Sequence, residues 1–242
     1  MNGGARARIR DLTRRYSLPR TAGSALITLL ELIMTDPAAA TAVRSEDGVI
    51  DDHLADSLVA LDLEEVRAAA VIADLGSGAG FAGLPLAIAR PEATVSLVES
   101  NARKCAFLEH AATACSLRNV QVVNSRAESW DAGIDRCDLV TARALAPLAV
   151  VAEYGAPLLR VGGSLLVWRG GRDRDSEQAA ARAAAELGLE PREPLQVHPY
   201  PAASRRYLHL MLKVRPTPER FPRRPGVASK RPLGSGGRRR SV

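Results

Sequence analysis

The sequence predicts an α/β protein with a doubly wound, mostly parallel sheet, helices before the sheet and an antiparallel hairpin at one edge. From residue 71 onward, short apolar runs alternate with amphipathic segments of helical spacing. This alternation is typical of parallel strands joined by helical crossovers. The last two apolar runs follow each other without a helix between them, so they predict the hairpin.

Residues 1–66 are predicted to form a helical N-terminal region with a basic start. The segments "SALITLLELIM" (24–34) and "VIDDHLADSLVALDL" (49–63) both repeat apolar residues at helical spacing. Each is therefore expected to bury one face of a helix.

Residues 67–214 are predicted to form the sheet and its crossover helices. The predicted strands are "VIADL" (71–75), "TVSLVES" (94–100), "VQVVNS" (120–125), "CDLVTA" (137–142), "SLLVW" (164–168), "LQVHPY" (195–200) and "RYLHLMLKV" (206–214). The predicted helices are "GLPLAIAR" (83–90), "ARKCAFLEHAATAC" (102–115), "PLAVVAEYGAPLL" (147–159) and "DSEQAAARAAAELG" (175–188).

Both ends of the chain are basic, whereas the body between them is acidic. Residues 1–20 contain six arginines against one aspartate, and residues 215–242 contain nine Lys or Arg against one glutamate. The whole chain has a net charge of +6, so the body is negative. Residues 215–242 are rich in Pro, Gly and Arg, and we expect a flexible basic arm there. Such ends suit a polyanionic partner, although solvated tails are the alternative.

Composition excludes several classes of protein. The three cysteines are odd in number and form no CxxC pair, which argues against a disulfide framework or a zinc site. The scattered histidines likewise predict no metal. No apolar run is long enough to span a bilayer, and the basic start lacks an apolar signal region. We therefore expect a cytoplasmic protein with no membrane partner.

A glycine-rich turn follows the first predicted strand and indicates a nucleotide-like ligand. "GAGFAG" (78–83) fits the pattern of dinucleotide folds, but Asp74 lies two residues before Gly76, the first glycine of the turn. A carboxylate there repels a pyrophosphate, whereas it attracts the ammonium and sulfonium of S-adenosylmethionine. Asp74 therefore favours S-adenosylmethionine over NAD, with Gly78 in the cradle.

Two later strand ends extend this predicted pocket. Glu99 ends the second strand and is placed to accept both ribose hydroxyls of the cofactor. After the third strand, the Ala127–Glu128 backbone and the Glu128 side chain are expected at the adenine edge. A solvated acid is the alternative interpretation of each glutamate.

The absence of certain motifs narrows the choice of the atom that accepts the methyl group. No "NPPY" or "DPPY" follows the fourth strand, no cysteine lies in a Pro-Cys loop, and no histidine has a triad or HExxH setting. This favours a nucleophile that needs no base, such as guanine N7. Arg143 follows the fourth strand and could hold guanine O6, or could form a structural ion pair. We interpret His53 and Asp56 first as packing residues and second as neighbours of the cofactor.

At this point the ordered motifs resemble a known family. They are "HLADSL" (53–58), "DLGSGAGFAGLPLA" (74–87), "RKCAFL" (103–108), "SRAE" (125–128), "TARALAPL" (141–148), "WRGGR" (168–172), "RRYLHLMLKV" (205–214) and "FPRRPGVASKRPL" (221–233). Together they resemble the RsmG (GidB) family of small-subunit ribosomal RNA guanine-N7 methyltransferases, over residues 41–233.

The resemblance implies the class I methyltransferase fold and S-adenosylmethionine as cofactor. It implies methylation of guanosine 527 in the 530 loop of 16S ribosomal RNA, with naked RNA or the assembling 30S subunit as partner. By matching positions, cofactor contacts fall on Gly76, Phe81, Ala127, Glu128 and Arg143. The basic residues expected to face RNA are Arg169, Arg223, Arg224, Lys230 and Arg231.

Three positions depart from the family pattern. Ala82 stands where proline is usual, Arg169 where lysine is usual, and Asp52 where arginine is common. None removes an expected cofactor contact. The alternatives are an S-adenosylmethionine enzyme for a small molecule, an NAD-dependent oxidoreductase, and a non-catalytic RNA-binding module.

Overall fold

A single eight-stranded sheet organises the molecule. The structure, a computed structural model, describes residues 2–39, 41–43 and 45–234. The strands are β1 (Val71–Leu75), β2 (Thr94–Glu99), β3 (Val120–Asn124), β4 (Cys137–Arg143), β5 (Leu159–Arg169), β6 (Leu189–Pro191), β7 (Leu195–Val197) and β8 (Arg206–Lys213). They lie in the order β3-β2-β1-β4-β5-β8-β6, and β7 also pairs with β8.

The strand pairing confirms the predicted mostly parallel sheet with an antiparallel edge. Strands β1 to β5 pair in parallel, whereas β8 runs antiparallel to β5, β6 and β7. The hairpin formed by β7 and β8 is present, and β8 itself lies inside the sheet. The unpredicted β6 has three residues and includes Pro191, which suits an edge because proline donates no ladder hydrogen bond.

The parallel strands all end at one edge of the sheet. Their last residues are Leu75, Glu99, Asn124, Arg143 and Arg169. Because ligands of such folds bind outside the carboxyl ends of the strands, this edge gathers several side chains predicted to bind the cofactor or RNA.

Ten α-helices are assigned within the described residues. They are α1 (Gly3–Arg15), α2 (Ala22–Thr35), α3 (Glu46–Val49), α4 (Asp56–Leu58), α5 (Glu64–Ala68), α6 (Gly83–Ala89), α7 (Ala102–Ala114), α8 (Leu148–Gly155), α9 (Arg174–Leu187) and α10 (Val227–Lys230). The predicted crossover helices correspond to α6, α7, α8 and α9. Gly188 ends α9 with φ +83°, the left-handed conformation that glycine adopts without strain.

The predicted helix over residues 49–63 is not regular. A π-helical turn, Ile50–Ala55, joins α3 to α4, and a 3-10 turn, Val59–Asp62, follows. The Ser57 hydroxyl, in the short α4 that follows this turn, lies within hydrogen-bond distance of the carbonyls of His53 and Phe81. This ties the segment to the glycine-rich turn, and π turns are frequent at functional sites.

The two faces of the sheet are covered by different parts of the chain. One face packs against α1, α2, α6 and α7, which contribute side chains such as Ile9, Leu29 and Leu108. The other packs against α8, α9 and the C-terminal segment, residues 215–234. None of the helices in the described part of the chain is long and apolar enough to cross a membrane.

The C-terminal segment is docked on the protein, contrary to the expected flexible arm. Phe221 and Ala228 are buried beside α8 and α9, and burying a phenylalanine contributes about 1.5–3 kcal/mol. Arg223 pairs with Glu153, which is only 1% exposed. The apolar and ionic partners lie far back in the chain, so composition alone indicated an unfolded arm. Residues 235–242, with three of the arginines, lie outside the described residues.

Candidate active site

The glycine-rich turn after β1 forms the floor of the site. Gly76 and Gly78 have φ values of +62° and +58°, which side-chain-bearing residues rarely adopt. A Cβ on Gly76 would lie 2.5 Å from the Leu145 side chain. The turn therefore needs glycine at these positions, and its backbone is open to a ligand.

Asp74 lies beneath this turn and is almost fully buried. Its Oδ1 accepts a hydrogen bond from Thr141 Oγ1 at 2.8 Å, and its Oδ2 accepts one from the Gly83 amide at 3.2 Å. Burial raises the pKa of Asp74 to about 6, although these hydrogen bonds oppose the shift. No cation of the described residues is paired with it, so its negative charge is available to a cationic ligand.

Glu99 joins the ends of β1 and β2. Its Oε2 accepts from the Gly78 amide at 3.0 Å and its Oε1 from the Asn101 amide at 2.8 Å. Each oxygen retains a further lone pair. The buried carboxylate thus holds the glycine-rich turn in place and can still accept from ribose hydroxyls.

A cavity of about 400 Å³ opens above the glycine-rich turn, and we call it the cofactor cavity. It brings together Asp74, Gly76, Gly78, Phe81 and Arg143 among the predicted cofactor contacts. The other lining residues are Thr41, Ala42, His53, Ser77, Ala79, Ala82, Lys104 and Ala144. A larger cavity of about 620 Å³ beside α2 has only one charged lining residue, Arg118, so chemistry and not size identifies the site.

His53 lines the cofactor cavity. This position agrees with its second interpretation, a neighbour of the cofactor, as well as with a packing role. Its ring stacks on Phe81 with centroids 3.6 Å apart and planes within 4°. Its Nε2 lies 2.9 Å from Thr41 Oγ1, whereas its Nδ1 is buried without a partner. Burial, assisted by Arg143, lowers the pKa of His53 to about 4. The ring is therefore neutral at physiological pH.

Arg143, at the end of β4, is held by the helical region. Its Nη2 lies 3.2 Å from Asp56 Oδ2 and also donates to the Asp52 carbonyl. Its Nη1 is buried and has no hydrogen-bond partner. Arg143 is thus both a structural ion-pair partner and a donor with unused capacity.

Asp56 is shared between two guanidinium groups. It is 2% exposed, and its Oδ1 lies 3.3 Å from Arg206 Nε. Arg206 also contacts the Asp52 carboxylate at 3.0 Å, and Tyr200 donates to the same oxygen at 2.6 Å. The unusual Asp52 therefore helps to fix Arg206 in place.

A second cavity of about 380 Å³ adjoins the first, and we call it the acceptor cavity. It is lined by Asp56, Arg143, Ala144, Trp168, Arg169, Gly170, Gly171 and Arg206. Arg143 and Ala144 line both cavities. The indole of Trp168 donates to the Asp56 carbonyl at 2.7 Å, which fixes this aromatic wall.

Ala127 and Glu128, like Glu99, are not among the lining residues of either cavity. They form a short 3-10 turn, Ala127–Ser129, after β3. Glu128 Oε1 accepts a hydrogen bond from the Gly226 amide at 3.0 Å. The structure therefore places Glu128 against the C-terminal segment, at the same sheet edge as Glu99.

The predicted RNA-facing cations divide into two groups. Arg224, Lys230 and Arg231 are exposed, and Arg169 lines the acceptor cavity. Arg223 instead donates its Nε to Glu153 Oε1 at 2.6 Å. Because Glu153 is buried, this guanidinium serves the fold and is not free for phosphate.

Comparison with known proteins identifies the family. The GidB family model, described as rRNA small subunit methyltransferase G, matches residues 28–200. This chain belongs to the GidB family. The ribosomal RNA small subunit methyltransferase G of Roseiflexus sp. is 44% identical over 202 residues, 80% of this chain and 83% of that protein. The protein of that name from Rubrobacter xylanophilus is 42% identical over 200 residues, 80% of this chain and 77% of that protein.

Solved structures confirm the predicted class I fold for this GidB-family chain. Aeropyrum pernix fibrillarin, in complex with natively bound S-adenosyl-L-methionine, gives a TM-score of 0.53 at 20% identity and covers 65% of this chain and 73% of that one. An S-adenosylmethionine-dependent O-methyltransferase from Thermotoga maritima gives 0.51 at 20% identity and covers 77% of this chain and 71% of that one. At these identities the likeness concerns the fold alone.

The acceptor cavity brings in candidate residues that motif and spacing did not predict. Arg206 and Trp168 are the main ones, and Asp56 was interpreted first as a packing residue. A topological signal was available, because an antiparallel strand after β5 must begin where β5 ends. Arg169 indeed pairs with Tyr207, next to Arg206.

The thiols of this GidB-family chain lie outside the site. All three cysteines are free and buried, and burial raises the pKa of Cys115 to about 11 and that of Cys137 to about 12. Within residues 2–39, 41–43 and 45–234, no three His, Cys, Asp or Glu side chains are grouped to hold a metal ion.

Proposed function

We propose that this protein transfers a methyl group from S-adenosylmethionine to N7 of a guanine in small-subunit ribosomal RNA. Guanosine 527 is the target implied by the family resemblance. The observation that carries the proposal is the meeting of two cavities at Arg143, one with a buried acid and one with several guanidinium groups. A cationic cofactor suits the first cavity, and an electron-rich base on a polyanion suits the second.

The cofactor cavity fits S-adenosylmethionine by the chemistry of its donor and acceptor groups. Asp74 supplies buried negative charge, Glu99 retains free lone pairs for hydroxyls, and the positive-φ glycines leave the floor without side chains. When bound, this cofactor supplies an electrophilic methyl group on a sulfonium. A pyrophosphate at the glycine-rich turn would instead lie beside the buried Asp74 carboxylate, which argues against NAD.

The acceptor cavity fits guanine, and transfer to N7 does not require a general base from the protein. Guanine offers O6 as an acceptor, and Arg143 Nη1 is a buried donor with no protein partner. N7 carries no proton, so its attack needs alignment more than proton removal. Holding the two reactants in position contributes about 7–11 kcal/mol to such reactions. Asp56 and the Asp52 carbonyl hold Arg143. Arg206 and the Trp168 indole in turn hold Asp56.

RNA binding is proposed for the exposed cations near this edge. Arg169, Arg224, Lys230 and Arg231 are candidates for phosphate contacts, which position an RNA without reading its sequence. The target base must leave its stack or lie in a loop to enter a cavity of this size.

The test is site-resolved detection of the product. Purified protein, labelled S-adenosylmethionine and either naked small-subunit RNA or assembled 30S subunits are combined, and N7-methylguanine is mapped by borohydride and aniline cleavage. We expect one methylated guanine, formed about 10²- to 10³-fold more slowly by Arg143→Ala. Labelled free metabolites would instead support a small-molecule methyltransferase, and a methyl group on another atom would refute the N7 assignment.

A further inference from the structure

The C-terminal segment contacts an acid that the sequence places at the adenine end of the cofactor site. Gly226 donates its amide to Glu128 Oε1 at 3.0 Å, across 98 residues of sequence. Gly226 has φ +80°, and a Cβ added to it would meet nothing within 4 Å. The left-handed backbone thus aims this amide at Glu128 without a packing constraint.

The segment around Gly226 is anchored on α8. The Arg223 guanidinium clasps buried Glu153 and also donates to the Arg231 carbonyl at 2.9 Å. Tyr154 Oη lies 3.0 Å from Ser229 Oγ, and Phe221 fills an apolar site nearby. Gly226 is therefore held between two anchor points.

The same stretch, residues 221–231, exposes its remaining cations. The side chains of Arg224, Lys230 and Arg231 face solvent, whereas Arg223 faces the protein. One ordered stretch therefore carries both the cations proposed for RNA and the amide that holds Glu128.

We propose that residues 221–231 couple the RNA surface to the cofactor site, with Gly226 as a positioning residue for Glu128. This inference rests on the proposed function. The Gly226 amide occupies one oxygen of the carboxylate and leaves the other free for the exocyclic amine of adenine. Ordering the carboxylate in advance removes part of the cost of binding. By linkage, RNA that stabilises the docked segment tightens cofactor binding, and cofactor tightens RNA binding by the same factor.

Two substitutions separate the positioning bond from the adenine contact. Gly226→Ala strains the left-handed backbone and loosens the bond without removing a cation. Glu128→Gln can keep its bond to Gly226, but it then presents an amide NH₂, a donor, to the adenine amine. Gly3→Ala is the matched control, because its Cβ also meets nothing within 4 Å, its φ lies outside the left-handed region and it lines neither cavity.

The readout is binding of two product analogues by calorimetry, without turnover. Gly226→Ala is expected to weaken S-adenosylhomocysteine about two- to tenfold, the range of one hydrogen bond, and to leave S-inosylhomocysteine unchanged. Glu128→Gln is expected to reverse the preference toward the inosine analogue, whose O6 accepts a hydrogen bond. Equal losses for both analogues, or no loss, would overturn the positioning role.

The coupling itself is measured as the affinity of small-subunit RNA with and without saturating S-adenosylhomocysteine. Wild type and Gly3→Ala should bind RNA more tightly with the analogue, and Gly226→Ala should lose most of this difference. An unchanged difference in Gly226→Ala would overturn the coupling. Wild-type protein that binds S-adenosylhomocysteine but no RNA would refute the proposed function, while the analogue comparison would still test Gly226.

Discussion

The cofactor cavity and the acceptor cavity each contain a deeply buried aspartate, yet the two carboxylates have opposite surroundings. Asp74 is held by a hydroxyl and an amide, and its pKa is raised by burial to about 6. Asp56 lies within 3.3 Å of two guanidinium groups, those of Arg143 and Arg206. Asp74 therefore has a charge that a ligand can pair with, whereas the charge of Asp56 is already paired within the protein.

This difference supports the proposed positions of the two reactants, with the cofactor beside Asp74 and the guanine beside Asp56. A buried carboxylate without a paired cation is costly, and such groups concentrate at functional sites. Asp74 therefore suits a cationic cofactor. The acceptor cavity is lined by one carboxylate, Asp56, and by the guanidinium groups of Arg143, Arg169 and Arg206. Even with Asp52 also paired to Arg206, the cations outnumber the acids, so positive charge remains for a base oxygen or a phosphate.

The largest expected effect comes from the residue that both cavities share. Arg143→Ala removes the donor with the unpartnered Nη1, and methylation of RNA should fall about 10²- to 10³-fold, as when one preorganised donor is lost. Asp56 keeps Arg206, so the fold should persist in a thermal melt. Initial rates at saturating RNA and cofactor provide the measurement.

Arg143→Lys is the matched control for this loss. Lysine keeps the charge but not the planar fork, so its activity should lie between those of the wild type and the alanine variant. A turnover of Arg143→Ala within about threefold of wild type would show that Arg143 is only a structural ion-pair partner.

Replacing each aspartate separately by asparagine tests which cavity binds which reactant. Asp74→Asn should weaken S-adenosylmethionine about ten- to a hundredfold, consistent with losing one Coulomb attraction inside a protein. Asp56→Asn should leave cofactor affinity nearly unchanged and lower the rate with RNA, because Arg143 and Arg206 lose their shared partner. Calorimetry and initial rates separate the two outcomes, and equal cofactor losses in both variants would remove the distinction.

Asp74 also predicts a pH dependence. Because burial raises its pKa to about 6, S-adenosylmethionine should bind about tenfold more weakly for each pH unit below this value and reach a plateau above it. His53, with its pKa lowered to about 4, stays neutral and adds nothing over this range. Titration calorimetry between pH 5 and 8 provides the measurement, and Asp74→Asn should show a flat profile.

The free protein should show the opposite trend from the same group. An acid whose pKa is raised on folding holds its proton in the folded state, so its ionisation costs stability. The contribution of Asp74 to the free energy of unfolding should therefore decrease as pH rises from about 4 to about 6 and stay constant above. Denaturant titrations of wild type and Asp74→Asn at several pH values measure this contribution to the free energy of unfolding.

The cofactor side was predictable from sequence because its parts are local. Asp74, the glycine-rich turn and Glu99 lie within about one strand–helix–strand unit, and Glu99 bonds Gly78 across only 21 residues. Spacing and charge therefore predict the turn, the acids and the class of cofactor from sequence alone.

The acceptor side was not predictable in the same way, because it is assembled from distant segments. Trp168 reaches the Asp56 carbonyl across 112 residues, and Arg206 reaches Asp52 across 154. The docking of Arg223 on Glu153 spans 70 residues, so local composition gave a flexible arm. The pairing of β8 with β5 brings Arg206 beside Trp168 and Arg169 at one edge of the sheet.

The smallest expected effect concerns the exposed cations of the C-terminal segment. Replacing Arg224, Lys230 and Arg231 together by glutamine should weaken RNA binding several-fold at physiological salt. Each phosphate contact contributes about 0.7–0.9 to the slope of log affinity against log salt, so the slope should become shallower by about two to three. Arg223→Gln, which removes one cation that faces Glu153, should instead lower the melting temperature. An unchanged salt slope in the triple variant would assign the RNA surface to Arg169 and the acceptor side alone.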